Sequence, residues 1–175
     1  MNREKLGEQI YYTTHEEAAV TLSAGQSSTE YFKLLNLLGD NDLLAATIEQ
    51  MSELIPEGTE VLAGIELGAD PWTVGIGLRK SLPIRIIRKK LKQHGMSELI
   101  EGGPVKGLRA VLIEDVITTG RQTLRSVRVL RKAGGVVGTV VCVLLREENT
   151  AEQLAKEGLN VRPLFTRTQL QDLID

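Results

Sequence analysis

The chain has 175 residues, of which 42% are hydrophobic, enough for one domain with one sizeable core. Its formal charge of −2 gives no general attraction to nucleic acid or to a membrane surface. The single cysteine, Cys142, excludes an intrachain disulfide, and neither a signal-peptide core nor a membrane-length apolar run is present, so a cytoplasmic setting is expected.

The first thirty residues show no clear periodicity. Residues 42–54 carry Leu43, Leu44, Ala46, Ile48, Met51 and Leu54 at helical spacing, and Pro56, Glu57 and Gly58 end the run. Residues 61–65 read as a short strand and 71–82 as a helix with proline at its first position, where Trp72 faces the core. A second strand is expected over 83–87. The polar, glycine-containing stretch 89–107 is too long for an ordinary connection and reads as a functional lid. A third strand covers 109–116, a helix 121–132 stops at Gly134 and Gly135, and a fourth strand, 136–145, holds Cys142 as a small core residue. A helix over 151–157, a short strand over 161–164 and a turn of helix over 169–173 close the chain.

Apolar strands alternating with amphipathic helices predict an α/β fold: a largely parallel twisted sheet flanked by helices. Ligands bind such sheets at the C-terminal ends of the strands. Residues 64–71, 89–107 and 114–123, and Arg146, each follow a strand, so all should meet on one edge of the sheet.

The most informative segment is VLIEDVITTGRQT, residues 111–123. An apolar run ends in Glu114 and Asp115, then breaks into Thr118, Thr119 and Gly120 just before a helix. A helix start offers unpaired N–H groups and a positive dipole end to an anion. The two acids would repel a bare phosphate, and instead suit sugar hydroxyls or Mg²⁺. An ordinary βα turn with exposed acids is the alternative from the residues alone. Arg85, Arg88, Lys89, Lys90 and Lys92 fall within eight positions, either a solvated surface or a polyanion patch. No Cys/His cluster, His-Glu-x-x-His or ATP-type phosphate loop is present. His15 reads as a surface or capping residue.

Residues 111–123 resemble the phosphoribosyl pyrophosphate signature of the type I phosphoribosyltransferases. IRKKLKQHG, residues 87–95, with the following Ile100-Glu101-Gly102, resembles the mobile catalytic loop of orotate phosphoribosyltransferases. GIELGADP, residues 64–71, resembles the family's pyrophosphate loop, and Leu22-Ser23-Ala24-Gly25 with Tyr31-Phe32 resembles its substrate hood.

The resemblance implies one phosphoribosyltransferase domain over 1–175, with hood elements over 1–38 and a mobile lid over 89–107. It implies transfer of phosphoribose from phosphoribosyl pyrophosphate to orotate, giving orotidine 5′-monophosphate and pyrophosphate in pyrimidine (UMP) biosynthesis. Lys92, with His94 beside it, would stabilise the leaving pyrophosphate, and Arg88, Lys89 and Gly68 would contact it. Glu114 and Asp115 would bond the ribose hydroxyls, Asp115 also assisting charge at the anomeric carbon. Thr118, Thr119, Gly120 and Thr123 would wrap the 5′-phosphate, leaving Arg121 and Gln122 facing solvent. Tyr31, Phe32, Thr118 and Arg146 would receive the base, Arg146 through the orotate carboxylate. A homodimer sharing its lids follows from the resemblance, as does Mg²⁺ held by substrate oxygens and water rather than by a protein cage. Glu30, Lys33 and Leu145 depart from the family pattern. They leave open a transferase for another base, purine or uracil; a non-catalytic regulator that binds phosphoribosyl pyrophosphate is a further alternative.

Overall fold

The computed structural model describes residues 1–21, 27–89 and 99–174. Its strands are β1 (His15–Thr21), β2 (Ser27–Phe32), β3 (Val61–Ile65), β4 (Ile84–Ile87), β5 (Ile100–Glu101), β6 (Arg109–Ile117), β7 (Val136–Leu145) and β8 (Asn160–Thr166). Its α-helices are α1 (Arg3–Thr14), α2 (Asn41–Glu53), α3 (Asp70–Lys80), α4 (Arg121–Lys132), α5 (Asn149–Lys156) and α6 (Arg167–Asp172). A 3₁₀ turn, Leu34–Gly39, links β2 to α2.

The main sheet has the order β5-β4-β3-β6-β7-β8. Five of its strands run parallel, and β5 pairs antiparallel with β4 at one edge. Strand alternation divides the apolar side chains between two faces. Leu62, Val111, Ile113 and Val141 join Leu6, Ile10, Leu43, Met51, Trp72 and Ile76 on the side of α1, α2 and α3. Val61, Ala63, Leu112, Val140 and Cys142 join Val127 and Leu130 of α4 and Leu154 of α5 on the other. Burying each such leucine, isoleucine or valine contributes roughly 1.5–3 kcal/mol, so the two-sided core supplies the main driving force. Close packing of α3 on β3 requires Gly64, where a Cβ would fall 2.0 Å from Thr73 Oγ1.

Several boundaries differ from the sequence reading for physical reasons. The helix expected over 71–82 begins at Asp70 and ends at Lys80, where Ser81 turns left-handed at φ 54°. The stretch 89–107 returns to the sheet as β5, and Val105 enters the core beside Leu130. Within 1–38, α1 belongs to the main body: Leu6 and Ile10 are fully buried, and Gly7 abuts Phe165 and Leu173. Its apolar stripe is that narrow, which is why no periodicity announced it. The β1–β2 hairpin is a separate two-stranded sheet.

Candidate functional site

The strand order reverses between β3 and β6, since β3 leads outward to β4 while β6 leads the other way to β7. That reversal opens a crevice at the carboxyl ends of the strands. A cavity of about 520 Å³ lies there, lined by Glu66, Gly68, Lys89, residues 114–123, Tyr31, Phe32 and Arg146. Segments following β3, β4, β6 and β7 therefore converge, as strand order alone predicted.

Glu114 is buried, and its carboxylate accepts a hydrogen bond from Thr123 Oγ1 at 2.9 Å. Burial, then the neighbouring charge of Asp115, pushes Glu114 up to about 8, against the pull of Thr123 and Lys89. Asp115 is raised too, chiefly by burial; the Val116 N–H, donating to Oδ1 at 2.8 Å, and Lys89 act against it. Two carboxyls that resist ionisation in a cavity call for hydroxyl donors or added positive charge. Thr123 lines the cavity while its hydroxyl donates to Glu114. Gly68 is needed where it stands, because a Cβ would lie 1.9 Å from Asp115 Oδ2. It lines the cavity beside the acid pair.

Thr118, Thr119 and Gly120 form the turn into α4. Gly120 occupies the helix N-cap at φ 67° without a side-chain cap, so the cap residue leaves the first-turn N–H groups to the cavity. The turn is held from behind by Thr150, whose hydroxyl donates to the Thr118 carbonyl at 2.6 Å. Arg121 is exposed, as expected, although it also lines the cavity. Gln122 differs from its expected solvent-facing role: it lines the cavity, and its Nε2 is buried without a hydrogen-bond partner among the described residues. A small residue there would offer no such donor.

On the pyrophosphate side, Lys89 lines the cavity and its backbone is clamped. Its N–H donates to Glu66 Oε1 at 2.6 Å, and its carbonyl accepts from Arg125 of α4 at 2.7 Å. Burial raises the carboxyl of Asp70, Glu66 raises it further, and Lys89 opposes both. Arg88 is not brought to the cavity; its guanidinium lies 3.5 Å from Glu101 of β5. Lys92 and His94 lie outside the described residues, as does the 22–25 segment.

Of the two aromatic residues in the lining, Tyr31 is 40% exposed while Phe32 is 4% exposed and packed with Tyr11 and His15. Tyr31 is thus the ring open to a flat ligand, and Phe32 forms the wall behind it. Arg146 is only 7% exposed, so it is no surface residue pairing with Glu147 or Glu148. Its backbone N–H donates to the Ile117 carbonyl at 2.8 Å, and its Nη2 donates to Glu30 at 3.4 Å. His15 caps the end of α1 as expected, but its ring is half-buried, stacked on Tyr11 at 4.4 Å and facing Glu30 at 3.4 Å. Lys33 pairs with Glu16 across the hairpin at 2.7 Å, away from the base wall.

Sequence reasoning missed Glu66, Arg125, Arg167 and the partners of Glu30. Glu66 sits inside the matched 64–71 loop, so that motif was its available signal. The others meet only through tertiary structure.

No protein-family model matches the chain. An orotate phosphoribosyltransferase of Nocardioides sp. is 41% identical over 150 residues, covering 86% of this chain and 84% of the relative. The crystal structure of orotate phosphoribosyltransferase from Aeropyrum pernix superimposes with a TM-score of 0.85 at 29% identity, covering 97% of each chain. The Mycobacterium tuberculosis enzyme in complex with 5-phospho-α-D-ribosyl 1-diphosphate superimposes with a TM-score of 0.76 at 30% identity, covering 97% of this chain and 98% of that one. With the buried acid pair, the uncapped start of α4 and the arginine wall joined in one crevice, this chain belongs to the orotate phosphoribosyltransferase family.

Proposed function

We propose that the chain transfers phosphoribose from phosphoribosyl pyrophosphate to orotate, forming orotidine 5′-monophosphate and pyrophosphate in pyrimidine biosynthesis. The observation that carries this reading is the cavity lining, which joins the acid pair and the start of α4 with Tyr31 and Arg146 in one crevice. In the reaction a ring nitrogen of orotate forms a bond to the anomeric carbon as the bond to pyrophosphate oxygen breaks. Pyrophosphate leaves with the electron pair and the ring nitrogen gives up its proton to solvent, so cations are needed where the charge on pyrophosphate grows.

Glu114 and Asp115 accept the ribose hydroxyls, and the first N–H groups of α4 with Thr118, Thr119 and Gly120 receive the 5′-phosphate. Lys89 and the backbone at Gly68 face the pyrophosphate. Arg146 forks onto the base carboxylate while Tyr31 covers the ring. Lys92 and His94 complete the cation set from the lid.

The residues fit Mg²⁺ in one way only. The buried, ionisation-resistant acids favour added positive charge, yet among the described residues no group of three His, Cys, Asp or Glu could cage a metal. The ion would therefore be held mainly by substrate oxygens and water, with Asp115 and Glu114 beside it, and would neutralise charge on pyrophosphate. A homodimer is supported by Leu67, Val74 and Leu78, an apolar stripe on and before α3 whose two end members are 66% and 79% exposed. It adjoins Glu66 and Gly68 in the chain, both of which line the cavity. No helix among the described residues is long and apolar enough to cross a membrane, and a cytoplasmic setting suits the pathway.

The test is the loss of orotate absorbance with phosphoribosyl pyrophosphate and Mg²⁺, run beside uracil, hypoxanthine, guanine and adenine. Consumption of orotate alone is expected; turnover of another base, or binding without turnover, overturns the reading. Lys92→Ala should keep ligand binding while losing about 10²–10³-fold in rate, as for a removed transition-state donor.

A further inference from the structure

The geometry points to Glu30 as a positioning residue for the base-binding arginine, an inference that rests on the orotate reading above. Glu30 is 8% exposed, and an ionised carboxylate so far from water is strongly disfavoured unless it is paired. Basic side chains from three other segments meet it. His15 Nε2 of β1 lies 3.4 Å from Oε2. Arg146 Nη2, just after β7, lies 3.4 Å from Oε1, and Arg167 Nε, at the start of α6, lies 2.5 Å from the same oxygen.

Arg146 alone of these three lines the cavity, and the residues next to Glu30 in the chain, Tyr31 and Phe32, line it too. The carboxylate therefore ties the strand that carries the base wall to the strand end that carries the arginine. Two consequences follow for a ligand. First, a guanidinium already held by a buried carboxylate has surrendered rotamer freedom before the base arrives, so less is lost when the base carboxylate binds. Second, Arg146 shares Glu30 with Arg167, so the carboxylate is not Arg146's alone and leaves its guanidinium able to bind an anionic base.

Purified Glu30→Gln and Glu30→Ala proteins should be compared with wild type for orotate KM, phosphoribosyl pyrophosphate KM, kcat and thermal midpoint. Glu30→Ala is expected to raise orotate KM by about tenfold or more, the scale of a charged hydrogen bond, with phosphoribosyl pyrophosphate KM within about twofold. Glu30→Gln keeps the side chain's volume and one acceptor oxygen, so it should fold like wild type and show a smaller rise in the same constant. Unchanged orotate KM in both variants overturns the inference. So does a parallel rise in both KM values with a fall in kcat, which marks a merely structural contact. Wild-type protein that leaves orotate unreacted overturns the functional reading, and the inference falls with it; the two failures are thus told apart.

Discussion

Two parts of the cavity lining are built in opposite ways. The part proposed to hold the sugar phosphate comes from one uninterrupted stretch, the last residues of β6, the turn at Thr118–Gly120 and the first turn of α4. The part proposed to receive the base takes Tyr31 from the hairpin and Arg146 from after β7, and Arg146 is held by Glu30, which His15 and Arg167 of α6 also meet. The first can change only as a unit, since shifting any residue moves the acid pair relative to the helix start. The second can change one side chain at a time. A site with these two halves keeps its sugar phosphate and is free to vary its base.

The division predicts that substitutions act on one substrate at a time, and the base end should give the largest effect. Arg146→Ala removes a buried guanidinium and leaves a base carboxylate with no fork to receive it. We expect orotate kcat/KM to fall by roughly 10²–10³-fold, the range for losing one partner of a buried charge pair. Binding of phosphoribosyl pyrophosphate by calorimetry should stay within about threefold. Equal loss on both substrates would dissolve the division into two ends.

The same contrast explains what could be read in advance. Residues 111–123 were legible because strand, acid pair, turn and helix start are adjacent in sequence, and each part has a local signature. Parallel strands follow from apolar runs, and their C-terminal ends mark the crevice, so Lys89, Gly68 and Arg146 could be placed on one edge. The pairing of Arg88 with Glu101 was not legible, because it depends on β5, a two-residue strand too short to carry a pattern. The Thr123 hydroxyl is engaged by a buried acid nine positions earlier, a contact no spacing reveals. Glu30 looked like a departure in need of excuse. Its role depends on Arg167, which lies 137 positions later and had no motif to mark it.

The acid pair offers a sharper, intermediate test through pH. Glu114 titrates near 8 in the folded chain against 4.5 for its ordinary value, so the fold holds its proton more tightly than the unfolded chain does. Its contribution to stability is therefore complete below 4.5 and is lost progressively as pH rises to about 8. Asp115, raised as well, acts with the same sign. Thermal midpoints of ligand-free protein across that window should fall with pH, and Glu114→Gln should flatten part of the slope while its amide oxygen keeps the Thr123 contact. Identical slopes in the two proteins would sink the assignment. Ribose hydroxyls donate best to the ionised pair, so sugar-phosphate affinity should rise with pH over the same range, with orotate affinity unaffected by this group.

The smallest expected effect is the most discriminating, because it asks whether the phosphate end has a chain-specific donor. Gln122 Nε2 is buried at the cavity wall without a hydrogen-bond partner among the described residues. A buried amide donor left unmatched costs about 1–3 kcal/mol, and a phosphate oxygen at the start of α4 would satisfy it. Thr123 already donates its hydroxyl to Glu114, so it does not compete for that oxygen as a donor. Gln122→Ala should raise phosphoribosyl pyrophosphate KM by roughly three- to tenfold and leave orotate KM alone, the scale of one neutral donor on a charged acceptor. It should also leave the ligand-free thermal midpoint level or slightly higher, because removing an unmatched buried group removes its desolvation cost. A lower midpoint with unchanged KM would make Gln122 a structural prop of α4, and the phosphate would then rest on backbone N–H groups and threonines alone.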